Sequence, residues 1–211
     1  SRFFYVRRED SFPPVMKVLA LTGGIATGKS TAIRMLRELD PGMGVFDSDD
    51  SVRGLLQNHD ILLEISGALG RSVILSDGTV DRVLLRSLVF ENPDLRRALE
   101  AVLHPKVRKE CLEKLAEYRS NSSTTLFVAD VPLLFESGFH FGQELNLVVA
   151  TSSATQRIRL KARSHFEDRM IASILQAQLP IMEKVARGDV VFWNEGGTAV
   201  LGRQLQRFLN S

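Results

Sequence analysis

At 211 residues, with 44% hydrophobic and 25% charged residues, the chain has the size and balance of one globular domain, or one domain with a substantial insertion, and fits no fibrous or disordered class. A formal net charge of +2 is too small to argue for a nucleic-acid surface, and the single cysteine, Cys111, excludes an internal disulfide framework and a cysteine-built zinc site and fits a reducing cytoplasm. The longest apolar run, from Leu126 to Phe135, contains Asp130 and Pro132 and falls short of the 18 or so residues of a membrane span, so a soluble, cytoplasmic protein without membrane or nucleic-acid partners is expected.

Residues 1 to 15 mix Arg2, Arg7 and Arg8 with Phe3, Phe4 and Phe12 and end in Pro13-Pro14, without the apolar core of a secretory signal. Met16-Lys17-Val18 opens the first strand directly, so Met16 is expected to be the working start and the preceding residues an extension that activity does not need. The apolar run Val18 to Leu21 reads as a buried strand, and Ala32, Ile33, Leu36 and Leu39 follow at helical spacing until Asp40-Pro41-Gly42 stops the helix. Between them, Gly23-Gly24-Ile25-Ala26-Thr27-Gly28-Lys29-Ser30 matches the phosphate-cradling pattern G-x-x-x-x-G-K-[ST]. The bare pattern arises by chance in roughly one chain per hundred of this length, so strand and helix context makes binding of a nucleoside triphosphate the reading. Gly23 and Gly28 let backbone N–H groups turn inward, the helix N-terminus adds about half a positive charge, Lys29 adds a whole one, and Ser30 can offer its hydroxyl to magnesium.

A second short strand, Val45 to Phe46, ends in Asp47, with Asp49 and Asp50 close behind. In open α/β sheets ligands sit beyond the carboxyl ends of the strands, so these acids face whatever accepts the phosphoryl group; the alternative is that they cap the next helix. About 75 residues follow with few strand signals, far more than a connection needs, and read as an inserted helical subdomain. Val52, Leu55 and Leu56 open one helix, Asp77-Gly78 marks a turn, Arg82 to Phe90 forms a second helix, and Pro93 to Tyr118 supplies one or two more, interrupted at His104-Pro105 because proline cannot continue the hydrogen-bond ladder.

The third strand, Leu126 to Ala129, ends in Asp130 at the Walker B position, where an acid holds magnesium or one of its waters. After the fourth, Leu145 to Ala150, the box Ser153-Ala154-Thr155-Gln156 starts a helix bearing Arg157, Arg159, Lys161 and Arg163. Arg163 sits where this helix meets a short excursion, Ser164 to Arg187, as an arginine on a closing lid would. The fifth strand, Val190 to Trp193, leads to Asn194-Glu195-Gly196, which lacks the lysine and aspartate of a guanine-reading motif. His59, His140 and His165 have no motif context and read as surface or packing residues. Strands alternating with helices predict an α/β fold: a five-stranded parallel sheet of P-loop kinase type with helices on both faces, a helical insertion and a small lid.

These segments together closely resemble the dephospho-coenzyme A kinase family from Met16 to about Gly197. The resemblance is carried by Leu21-Thr22-Gly23-Gly24-Ile25, Val45-Phe46-Asp47-Ser48-Asp49 with Arg53, Asp77-Gly78 with Asp81-Arg82, Leu99-Glu100 and Leu103-His104-Pro105. It continues through Asp130-Val131-Pro132-Leu133-Leu134-Phe135-Glu136, Gln156, Arg159, Arg163, Gln178, Lys184 and Gly188-Asp189-Val190-Val191 with Asn194. It implies ATP and Mg2+ as co-substrate and metal, dephospho-coenzyme A as the small-molecule partner, and transfer to its ribose 3′-hydroxyl. The oligomeric state is left open by the sequence, with a monomer slightly favoured. It further implies a core of residues 16–50, 121–163 and 188–211, an acceptor-holding subdomain at 51–120 and a lid at 164–187. The residues so assigned are Asp47, Lys29 and Arg163 for catalysis, and Gly23 to Ser30 (with Gly24, Ile25, Ala26, Thr27 and Gly28 between), Thr31, Arg159 and Asn194 for ATP. Asp47, Asp49, Arg82, His104 and Glu136 are assigned to the acceptor, and Ser30 and Asp130 to the metal. Ala26 stands where the family often has glycine, Ser164 where it often has aspartate, and Gly188 where alanine is usual. The rival readings are a kinase for another small hydroxyl compound and an ATP-hydrolysing switch that binds a protein.

Overall fold

The computed structural model describes residues 16–121, 123–163 and 167–211; the expectations on residues 1–15, Ser164 and His165 lie outside the described residues. Five parallel strands, β1 (Lys17–Gly23), β2 (Gly44–Asp47), β3 (Leu126–Asp130), β4 (Leu145–Ala150) and β5 (Val190–Trp193), form one sheet in the order β2-β3-β1-β4-β5. The chain leaves β1 toward one edge and later passes to β4 on the other side, so the switch point where such sheets bind ligands lies at the carboxyl end of β1. Register brings Leu21 and Asp47 level with Asp130, and Gly23 level with Val149. The acids of two strands and the start of the glycine-rich loop therefore share one sheet edge.

Both faces of the sheet are covered, which is why its strands read as unbroken apolar runs. Leu19, Leu21, Val128, Leu147 and Val149 pack with Ala32 and Leu36 of α1 (Lys29–Leu39) and with Leu201 and Leu205 of α10 (Thr198–Leu209). On the opposite face Val18, Ala20, Phe127 and Ala129 share a core with the inserted helices α2 (Ser48–Leu55), α3 (His59–Leu69), α4 (Arg82–Glu91) and α5 (Pro93–Arg119). Each inserted helix starts on an Asp or Asn whose side chain accepts from first-turn amides: Asp47, Asn58, Asp81 and Asn92.

Two local expectations are corrected. No break occurs at His104-Pro105, because α5 runs 27 residues with Pro105 inside it. An interior proline costs about 3 kcal/mol, whereas Val102, Leu103, Val107, Cys111 and Leu115 are buried along the same helix, each contributing about 1.5–3 kcal/mol where it is a large aliphatic. Packing wins, and exposed Ala101 keeps the carbonyl that proline frees within reach of water. Nor does the box begin at Ser153: α7 (Ser153–Arg163) is capped one residue earlier, where Ser152 Oγ accepts from Thr155 N–H at 3.1 Å. Gln156 turns away to the glycine-rich loop instead. After α7 come α8 (Asp168–Gln176) and α9 (Ile181–Arg187); α6 (Leu134–Ser137) is a single turn after β3.

Gly44 opens β2 directly beneath the Tyr118 ring, and a Cβ there would lie 2.6 Å from Tyr118 Cγ. Tyr118 in turn packs on Phe127, with ring centroids 5.9 Å apart. Gly44→Ala is expected to lower stability by about 1–3 kcal/mol through overpacking, read as a reduced urea midpoint with an unchanged slope.

Candidate active site

The glycine-rich loop between β1 and α1 is held by contacts from segments distant in sequence. Gly28 (φ 99) and Ala26 (φ 59) both occupy the left-handed region, so Ala26, unlike a glycine, bears a cost of about 1–2 kcal/mol at that position. A Cβ on Gly23 would meet the Val149 carbonyl oxygen at 2.5 Å. The loop's carbonyls point outward: Ile25 O accepts from Gln156 Nε2 at 2.7 Å, Ala26 O from Arg159 Nη1 at 3.2 Å, and Thr27 O from buried Asn194 Nδ2 at 2.8 Å. Arg159 also donates to Asn194 O at 2.8 Å, tying the two braces together. Because a trans peptide holds its carbonyl and N–H in one plane pointing in opposite directions, the amides of Ala26 and Gly28 face away from the bonded carbonyls, and the first-turn amides of α1 have no intrahelical partner.

A cavity of about 620 Å³ lies against the loop, lined among others by Lys29, Ser30, Asp49, Arg159, Arg163 and Asn194. Two loop amides are already engaged, Ile25 N–H by Gln178 Oε1 at 2.9 Å and Thr27 N–H by Gly24 O at 3.3 Å. Lys29 Nζ pairs with Asp130 at the end of β3. Burial pushes the Asp130 carboxyl above its ordinary range, with Asp47 and Asp49 adding to the rise and Lys29 opposing it. Ser30 is exposed at the mouth and Thr31 half-buried behind it.

A second cavity of about 160 Å³ adjoins the first, with Asp49, His104, Pro132 and Glu136 in its wall. Asp49 and Pro132 line both. Asp47 lines neither; its Oδ1 accepts from Asp49 N–H at 2.9 Å and Asp50 N–H at 3.1 Å, which is the capping role the sequence left open. Arg82 is exposed at the start of α4 and lines neither cavity. Glu136 and Lys184 form a pair at 2.7 Å, and burial pulls the lysine below its ordinary range while Glu136 opposes the shift.

Four residues outside the sequence-predicted set hold the site together: Gln156, Gln178, Lys184 and Glu195. Glu195, just after β5, accepts from Ser152 N–H at 2.8 Å, Ser152 Oγ at 2.7 Å and Thr155 Oγ1 at 2.5 Å, and from Thr151 Oγ1. It thus fastens the segment carrying Asn194 to the start of α7, which carries Gln156 and Arg159.

Comparison with known proteins gives these features a family context. Residues 17–199 match the family model described as Dephospho-CoA kinase. The chain is 39% identical over 193 residues to a dephospho-CoA kinase of Geobacillus kaustophilus, covering 90% of this chain and 94% of that one. Among solved structures it is similar to TT1252 from Thermus thermophilus, with a TM-score of 0.78, 31% identity and coverage of 93% of this chain and 97% of that one. A dephospho-CoA kinase from Campylobacter jejuni, 23% identical with a TM-score of 0.67 over 92% of this chain and 95% of that one, shares the fold. Among the described residues no helix is long and apolar enough to cross a membrane.

The Glu195 contacts carry a pH signature. Hydrogen bonds from Thr151, Thr155 and Ser152 lower its carboxyl from an ordinary 4.5 to about 2. A depressed folded-state pKa contributes stability that is complete above the unfolded value and lost as pH falls through the folded one. Glu195→Gln is therefore expected to melt at a lower temperature than wild type at pH 7, with the gap closing between about pH 4.5 and 2. Thermal midpoints of both proteins across that range check it; a gap that stays constant would mean that charge is not what Glu195 contributes.

Proposed function

We infer the reaction from one premise: this chain belongs to the dephospho-coenzyme A kinase family. It transfers the γ-phosphoryl group of ATP to the ribose 3′-hydroxyl of dephospho-coenzyme A, giving coenzyme A and ADP. The observation that supports this most directly is the contact between the two cavities at Asp49 and Pro132, which lets a triphosphate in the larger one meet an alcohol in the smaller. The helices of residues 51–120 hold the acceptor against the core of residues 16–50, 121–163 and 188–211, and the segment 164–187 closes over the phosphates. Within that segment α9 is anchored on the sheet through Ile181, which packs with Val148 and Ala150.

The hydroxyl oxygen attacks the γ-phosphorus in line as the bond to the β-bridging oxygen breaks, ADP leaves with the electron pair, and the hydroxyl proton passes to a carboxylate. Because the transition state is loose, positioning and charge neutralisation do most of the work. Outward-held carbonyls aim the loop amides at the phosphates, and Lys29 exchanges Asp130 for phosphate oxygens. Arg163 approaches the transferring group from the end of α7. Ser30 and Asp130 offer hard oxygen donors suited to Mg2+; they are too few for an all-protein cage, as expected of an ion that keeps waters and substrate phosphates as ligands. When bound, that ion supplies positive charge to the phosphates. Asp47 orients the hydroxyl with the oxygen that its capping bonds leave over.

ADP release is expected to require dephospho-coenzyme A and to be absent with adenosine, AMP or shikimate. Turnover without any acceptor would instead indicate a hydrolytic switch. Since Asn caps a helix as well as Asp does, Asp47→Asn separates chemistry from capping. It should keep stability and ATP affinity while lowering kcat by about 10²- to 10⁴-fold. A fall of less than about fivefold would leave Asp47 as a cap alone.

A further inference from the structure

Lys184, on α9, is fully buried, and no step above uses it. Its Nζ donates to Pro132 O at 2.8 Å and pairs with Glu136 Oε1 at 2.7 Å. That same carboxylate oxygen accepts from Leu179 N–H at 3.0 Å. Pro132 O also accepts from Thr22 Oγ1 at 3.0 Å, so the shared wall of the two cavities is fastened to β1 as well. A buried ammonium is costly unless paired, and an apolar side chain of similar volume could fill the space at no electrostatic cost. What the charge adds is a single node joining three pieces of the site: Pro132 between the cavities, Glu136 in the wall of the smaller one, and Leu179 at the foot of the segment before α9. The neighbour of Leu179, Gln178, holds the Ile25 N–H of the glycine-rich loop. Acceptor wall, donor loop and the segment before α9 are thus registered by one ion pair.

Resting on the reaction inferred above, we propose that Lys184 and Glu136 act as a positioning pair that sets the acceptor alcohol against the donor phosphorus, rather than as a stabilising contact alone. Neither residue exchanges a proton or touches the phosphoryl group. Their effect is on distance, and a displacement of about 1 Å at a reacting centre costs about 10²-fold in rate.

The test uses the full chain and four proteins: wild type, Lys184→Met, Glu136→Gln and the double variant. Steady-state kinetics give kcat and KM for dephospho-coenzyme A and ATP, calorimetry gives ATP affinity, and thermal midpoints monitor stability. Lys184→Met is expected to lower kcat/KM for the acceptor by about 10- to 100-fold with ATP affinity altered less than about threefold. The double variant should be no worse than Lys184→Met, because both substitutions break one unit. Equal losses for both substrates that track the thermal midpoint, or additive effects in the double variant, would overturn the proposal. Should Lys184→Met fail to fold, Glu136→Gln, whose side chain is 19% exposed, carries the same split between acceptor kinetics and ATP affinity. Wild-type protein that ignores dephospho-coenzyme A but phosphorylates another alcohol would overturn the reaction inferred above, and the split would then be read with that alcohol.

Discussion

The site depends on a constraint that acts on carbonyl groups rather than on the amides that meet the ligand. A phosphate cradle needs several N–H groups aimed at one point, and the short loop Gly23-Gly24-Ile25-Ala26-Thr27-Gly28 has few polar side chains of its own to keep them there. Gln156, Arg159 and Asn194 take the carbonyls of Ile25, Ala26 and Thr27, and the planarity of the peptide fixes the direction of the N–H groups that follow. The left-handed backbone at Ala26 is tolerable because these bonds over-determine it. Catalytic geometry at the loop is therefore set by α7 and the end of β5, and Glu195 in turn keeps those two segments together.

What was legible in the sequence follows from the range of each interaction. The glycine-rich loop is contiguous and flanked by its own strand and helix, so motif and context could be read together. Asp47 and Asp130 were found because strand ends in a parallel sheet converge on one edge, and the register bears this out. Local rules misjudged two helices for physical reasons. At Pro105 the buried face of α5 outweighs a lost hydrogen bond. At α7 the cap is Ser152, one residue earlier, and Gln156 donates instead to the Ile25 carbonyl of the loop. The roles of Gln178, Lys184 and Glu195 had no local signal, since their partners lie in other segments that only the fold brings near.

The resemblance to a family supplied an acceptor that no residue pattern could specify, yet the residues that would hold it are unevenly supported by geometry. Asp49, His104 and Glu136 share the wall of one cavity, whereas Arg82 stands outside it and Asp47 spends one oxygen on capping. Capping and catalysis are compatible because a carboxylate has about four acceptor sites and the cap uses those of one oxygen. The cap even assists, since two amide donors fix the orientation of the remaining oxygen.

Two paired lysines, Lys29 partly exposed and Lys184 fully buried, show how one fold uses the same cation for opposite ends. Lys29 pairs with Asp130 at the mouth of a cavity, where a triphosphate of higher charge can outbid one carboxylate, so its pairing is exchangeable and suited to catalysis. Lys184 is enclosed on all sides, and its partners are a carboxylate and a carbonyl already tied to other elements. No ligand can reach it without dismantling the wall between the cavities. Breaking such a pair from one side leaves a charge uncompensated, which makes the arrangement rigid in a way an apolar contact of the same size is not. A site that must bring two substrates within bonding distance needs one part that yields and one that holds, and here the lysines at the two ends of the Asp130-to-Glu136 segment divide that work.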